Sequence, residues 1–327
     1  MPVKTNIEAL RETLAAEMRR DPTIVITGED VGRRGGVFRA TEGLYAEFGP
    51  SRVIDSPLSE LSIVGVGIGL ALNGIRPICE IQFADFIHLA FNQIINEAAK
   101  MRYRSNAAFT VPMLIRAPYG GGISGALYHS QSIEAFFCHV PGLYVLAPST
   151  PYDTAGLLRT ALRSPDPVLF LEHKKLYRSI KGEVPEGDFF VPLGQADVKA
   201  VGDDLTIISY GLMMHESLKA AQALAPEGIS VEVIDLRTLS PLDKDTILTS
   251  VRKTGKVLIV HEDNLTGGLG GEIAAIISEQ AFEYLDGPVT RVGGPDVPAM
   301  PFSHPLQDFF MPNADKIAAA ARTLAAY

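Results

Sequence analysis

The chain has 327 residues, 46% hydrophobic and 20% charged, with a formal net charge of −9, which suits about two soluble domains with sizeable cores. The acidic balance, with no Lys/Arg run, argues against nucleic acid as a direct partner and favours a basic protein module instead. Cys79 and Cys138 are the only cysteines, which excludes a disulfide framework and a cysteine-rich metal site.

The first residues, MPVKTNIEALRETL, lack the apolar stretch of a signal peptide, so a cytoplasmic protein is expected. Ile7, Leu10, Leu14 and Met18 stand at helical spacing and predict an amphipathic helix ended by Asp21-Pro22. A strand is expected over Thr23–Thr27, then a polar, glycine-rich loop through Gly36. Arg52–Ile54 reads as a strand, with Ser56 as N-cap and Pro57 as first residue of a nearly uncharged helix containing Gly65, Gly67 and Gly69. The uncharged run Leu61–Ile75 is shorter than the roughly 18 residues of a membrane span, so no membrane partner is expected. Next come a strand at Pro77–Phe83, a long helix over Asp85–Arg104 and a strand at Val111–Ile115. A flexible glycine loop follows at Tyr119–Gly125, with a helix from about Ser132. Leu143–Ala147 and Val168–Glu172 flank a helix at Pro151–Arg163. Short strands alternating with longer helices predict an α/β fold with a mostly parallel sheet covered by helices. Ser179–Leu193 breaks the rhythm, which restarts with strands near 205–210, 231–236, 257–260 and 289–292. The expected organisation is two such domains, 1–180 and 194–327, joined by a linker at 181–193.

Familiar nucleotide signatures fail. Gly65-Val-Gly67 has Leu70 where the dinucleotide fingerprint needs glycine, Gly268-Leu-Gly270 has Ile273, and no phosphate loop occurs. Around Ser124 the second glycine of a nucleophile elbow stands one place early, at Gly125. The histidines are scattered, so no metal spacing is present. Two residues stand out. Glu60 is the one charged residue in the run after the turn; there it suits a helix N-terminus electrostatically or faces a ligand. His129 follows the glycine loop. Both follow strand ends, where parallel sheets bind ligands, and Phe86 starts the helix after a strand. A carboxylate, an aromatic face and a histidine suit a planar heteroaromatic cofactor, and nothing in the chain is built to hold a diphosphate.

DSPLSE, EIQFADF, NEAAKMRYRS, RAPYGGGISGALYHSQS, LEHKKLYR, IDLRTLSPLD and GPDVPAMPF resemble the β subunit of the thiamin-diphosphate-dependent 2-oxo acid dehydrogenase decarboxylase component. The resemblance spans essentially the whole chain and is nearest to the branched-chain 2-oxo acid enzymes, with pyruvate and acetoin enzymes as close relatives. It implies a transketolase-like fold: a pyrimidine-binding domain and a C-terminal domain for assembly. It implies that Glu60 hydrogen-bonds the aminopyrimidine of thiamin diphosphate and promotes its imino tautomer. Phe86 would pack on that ring, and Leu58 and Gln82 would line it. His129 would donate a proton as the acyl group passes to the lipoyl group of an acyltransferase component. Burial is expected to outweigh the helix dipole at Glu60, because a carboxyl facing a ring nitrogen must be able to donate. The family's Mg²⁺–diphosphate motif, GDG followed by Asn, lies on an α subunit and is absent here, so the resemblance implies an α2β2 heterotetramer with a shared cofactor. Some members also hold K⁺ near the turn that here reads Arg163-Ser164-Pro165-Asp166-Pro167. Glu279, Glu283 and Asp286 are candidates for docking a basic domain of the acyltransferase. Two further readings stay open: a non-catalytic assembly subunit, and a self-contained transketolase-like enzyme, against which the missing diphosphate motif counts.

Overall fold

The structure, a computed structural model, describes residues 1–327. Its strands are β1 (Val3–Thr5), β2 (Ile24–Gly28), β3 (Val53–Asp55), β4 (Arg76–Glu80), β5 (Leu114–Tyr119), β6 (Tyr144–Leu146), β7 (Val168–His173) and β8 (Lys181–Glu183), then β9 (Asp197–Ala200), β10 (Leu205–Ser209), β11 (Val231–Asp235), β12 (Thr238–Ser240), β13 (Val257–Asn264) and β14 (Thr290–Gly294). The chain forms two compact units: residues 1–119 with 136–193, and residues 120–135 with 194–327.

In the first unit, β6, β7, β5, β4, β2 and β3 pair in that order, all parallel. β2, β5 and β7 are buried along their whole length, as expected of parallel strands covered on both faces. One core joins Leu10, Leu14 and Met18 of the first helix, Asn6–Arg20, to Ile24 and Ile26 of β2 and Phe170 of β7. Thr5 caps that helix with a reciprocal capping box to Glu8. β1 and β8 make a separate antiparallel pair. Val191 and Leu193 pack on the same core.

In the second unit, the order is β14-β13-β10-β11-β9. β13, β10 and β11 are parallel and β9 runs antiparallel at one edge. β9 was not expected: Asp197 and Lys199 give it the look of a loop, which is how an edge strand is kept from pairing with strangers.

Several boundaries move for physical reasons. The glycine-rich helix starts at Glu60 with Ser59 as its cap, because the Ser56 amide donates to the Gly28 carbonyl at 2.8 Å and extends the ladder past β3. The helix expected over Asp85–Arg104 is three pieces: a 3₁₀ turn at Ala84–Ala90, a π stretch at Gln93–Ala98 and an α turn at Met101–Arg104. The Ala99 amide reaches back five residues to Ile94, which keeps Ile87, Ala90, Ile94 and Ala98 all buried. The strand expected at Val111–Ile115, β5, begins at Leu114 and runs on through Arg116 to Tyr119. Pro112 has no amide to give a ladder, and Arg116 disguised the continuation. Of the three glycines in the Glu60 helix, only Gly67 is demanded by its own chain: a Cβ there would collide with the Cys79 sulfur.

Candidate active site

Ligands bind at the carboxyl ends of strands in such sheets, and β4, β2 and β3 bring the expected residues to neighbouring strand ends. Glu60 opens the helix Glu60–Leu72, which leaves β3 and packs against β4 and the Ala84–Ala90 turn. Glu60 is 3% exposed, and its Oε2 has no hydrogen-bond partner. A buried carboxylate oxygen left without a donor costs roughly 1–3 kcal/mol or more, so a group that engages it is expected. Gln82 and Phe86 follow β4, both half-buried. Phe86 sits edge-on to Phe83, ring centroids 6.2 Å apart at 90°, and its amide donates to the Phe83 carbonyl, which fixes where the ring stands. Leu58 is 77% exposed just before the helix.

Sequence reasoning passed over Glu29, at the end of β2. Its Oε1 is buried without a partner, and burial, followed by the charges of Glu60 and Asp30, pushes its carboxyl above its ordinary range. The signal available was its place directly after a strand, in a loop set aside as merely polar.

His129 belongs to the second unit, with the glycine loop. It follows a 3₁₀ turn at Ala126–Tyr128 and is half-buried. Gly120, Gly122, Ser124 and Ala126 all have positive φ, so this backbone is held against its own preference at the last two. The hold comes from far along the chain. Glu262 accepts from the Gly121 amide, and Gln307 accepts from the Ser124 amide at 3.0 Å. A side chain at Gly121 would strike Met300, which places the GPDVPAMPF motif on the glycine loop.

The Arg163–Pro167 turn is served by the protein's own cations. Arg76 Nη1 donates to the carbonyls of Leu162 and Ser164 at 3.0 and 2.9 Å, and Arg102 pairs with Asp166 at 2.6 Å. The Leu162 and Ser164 carbonyls at that turn therefore each already accept a hydrogen bond from a guanidinium. No group of three or more His, Cys, Asp or Glu side chains is arranged to hold a metal ion, and no helix is long and apolar enough to cross a membrane.

Residues 4–180 match the family model of the transketolase pyrimidine-binding domain, and residues 194–317 that of the transketolase C-terminal domain. The chain is 56% identical over 327 residues to the 2-oxoisovalerate dehydrogenase subunit beta of Bacillus subtilis (strain 168), covering 100% of both. It is 48% identical over 322 residues to the pyruvate dehydrogenase E1 component subunit beta of the same organism, covering 98% of each. Among solved structures it resembles a split gene transketolase, an inactive beta4 tetramer, with a TM-score of 0.80, 27% identity and 98% of each chain covered.

Proposed function

Because this chain belongs to the β subunits of the 2-oxo acid dehydrogenases, oxidoreductases built on the transketolase fold, we propose that it acts on branched-chain 2-oxo acids as half of a thiamin-diphosphate enzyme. The higher identity to the 2-oxoisovalerate subunit than to the pyruvate subunit favours that substrate class. The observation that carries the reading is the buried, unpartnered Oε2 of Glu60 at the strand ends.

The residues suit the pyrimidine half of the cofactor. Glu60 would hold a proton against the ring nitrogen, Phe86 would face the ring, and Leu58 and Gln82 would line it. Thiamin diphosphate, when bound, supplies the electron sink for loss of CO₂. This chain's task is to bind and orient the ring, keep water from Glu60 and move that proton. His129 would act as a proton donor as the acyl group passes to a lipoyl sulfur. Mg²⁺ and the diphosphate fall to an α subunit, in an α2β2 heterotetramer, since GDG followed by Asn is absent here. The inactivity of the β-only split transketolase supports a divided site. Exposed Glu279, Glu283 and Asp286 are the docking candidates for a basic module of the lipoyl-bearing acyltransferase, and the last two rim a groove with exposed Phe282. The complex would work in the cytoplasm.

Calorimetry with thiamin diphosphate and Mg²⁺ tests the division. Binding is expected only when the α subunit is added, with 3-methyl-2-oxobutanoate then decarboxylated faster than pyruvate. Tight binding by this chain alone would overturn the divided site, and a preference for pyruvate would overturn the substrate class.

A further inference from the structure

Within the segment 120–135 the Gly120 amide donates to the Gln131 carbonyl at 3.0 Å, the His129 amide to the Ala126 carbonyl at 3.4 Å and the Gln131 side-chain amide to the Leu127 carbonyl at 3.3 Å. The segment has positive φ at two non-glycine residues, and its anchors, Glu262, Met300 and Gln307, come from the rest of the second unit. A fourth anchor stands at its end. Glu134 is fully buried; its Oε1 accepts from the Tyr210 hydroxyl at 2.7 Å and its Oε2 has no partner. The titratable groups facing it are Tyr210, just past β10, and Asp263 and Glu262 of β13. Burial and the charges of these two carboxyls together disfavour ionisation of Glu134.

We propose that the Glu134 carboxyl, docked in its protonated form against Tyr210, is the latch that positions the His129 loop on the second unit, so that loop order follows proton occupancy. Burial, then the charge of Asp263, pushes Glu134 up to about 8, and burial pushes Asp263 up to about 6. Glu134 is a positioning residue. The latch bears on catalysis only through the role given above to His129, and it is tested without using that role.

The docked loop holds a proton that the released loop, with a carboxyl at its ordinary 4.5, gives up. Release is therefore favoured as pH rises from about 4.5 to about 8, by about tenfold per pH unit, and levels off above that. Hydrogen-exchange mass spectrometry on the full chain between pH 6 and 9 reads this directly, with rates corrected for intrinsic exchange and β10 as the internal reference. Opening of 120–135 is expected to rise about tenfold per unit up to pH 8 and then flatten, with β10 unmoved. Glu134→Gln keeps the acceptor for Tyr210 but loses the ionisation, so its loop stays closed across the range, while Glu134→Ala is open throughout. Tyr210→Phe removes one hydrogen bond and should raise opening at pH 6 by about fivefold, which corresponds to about 1 kcal/mol. A wild-type loop indifferent to pH, a Glu134→Gln loop with the wild-type slope, or a Tyr210→Phe loop as closed as wild type would each overturn the latch.

Discussion

Glu60→Gln, assembled with the α subunit and loaded with thiamin diphosphate, is expected to lose decarboxylation by about 10²- to 10⁴-fold, the range typical of a positioned acid–base group. Binding should change far less, by under about tenfold, or 1.4 kcal/mol. The reason lies in what an amide can do. Gln can still donate a hydrogen bond to a ring nitrogen, so the ring is held. It cannot release that hydrogen and take it back, so the proton movement assigned to Oε2 stops. Burial sharpens the contrast, because at 3% exposure water is a poor substitute donor. Single-turnover rates and calorimetry on the same preparation separate the two effects. A variant that turns over within threefold of wild type would remove Glu60 from the chemistry while leaving it in the fold.

Arg116→Met should be the most destabilising change in the first unit, lowering stability by about 3–5 kcal/mol. Arg116 lies in the middle of β5 with no exposure. Its Nε and Nη2 grip Glu172 at 2.6 and 2.7 Å, and its Nη1 reaches Glu80. Tyr177 donates to the same Glu172 at 2.5 Å. Removing the guanidinium leaves two buried carboxylates on the strands that flank β5, with no cation between them. Burial pushes Glu80 above its ordinary range even with Arg116 there, and Glu172 adds to it. Without Arg116, Glu80 would hold in the folded state a proton that the unfolded chain gives up. The variant's deficit should therefore be largest near pH 8 and shrink as pH falls toward 5. Urea unfolding midpoints at the two pH values check this. A loss below about 1 kcal/mol at pH 8 would show that the pair is open to water. Adding Glu80→Gln and Glu172→Gln should restore much of the loss.

This triad also shows what a linear reading can and cannot supply. Alternation of short apolar runs with helical spacing located both sheets, and the DSPLSE motif located Glu60. Arg116 stands in the middle of β5, where a charge normally marks an end, with Glu80 closing β4 and Glu172 near the end of β7; only their mutual pairing across the three strands makes burial tolerable. The start of the Glu60 helix was misplaced for a related reason. Ser56-Pro57 is a good local cap, but the Ser56 amide is already committed to Gly28 on another strand. Glu29 was missed because its significance is its nearness to Glu60, not any property of its neighbours in sequence. The anchors of the glycine loop, Glu262 and Gln307, lie 141 and 183 residues from the amides they hold, a separation that no spacing rule spans.

The absence of a side chain at Gly67 lets the Glu60 helix lie directly on the Cys79 thiol, whose sulfur is within reach of the Ile63 carbonyl at 3.4 Å. Burial pushes that thiol up to about 12, so the thiolate, the species that reacts with alkylating agents and oxidants, is essentially absent while the helix is seated. The molecule thereby carries its own clock. Under a pulse of iodoacetamide the half-buried Cys138 is the first to be labelled, and modification of Cys79 records only those moments when the helix bearing Glu60 has lifted from the sheet. The ratio of the two labels would follow the integrity of the proposed cofactor cradle in any mixture, with or without the α subunit, and without a probe attached to either.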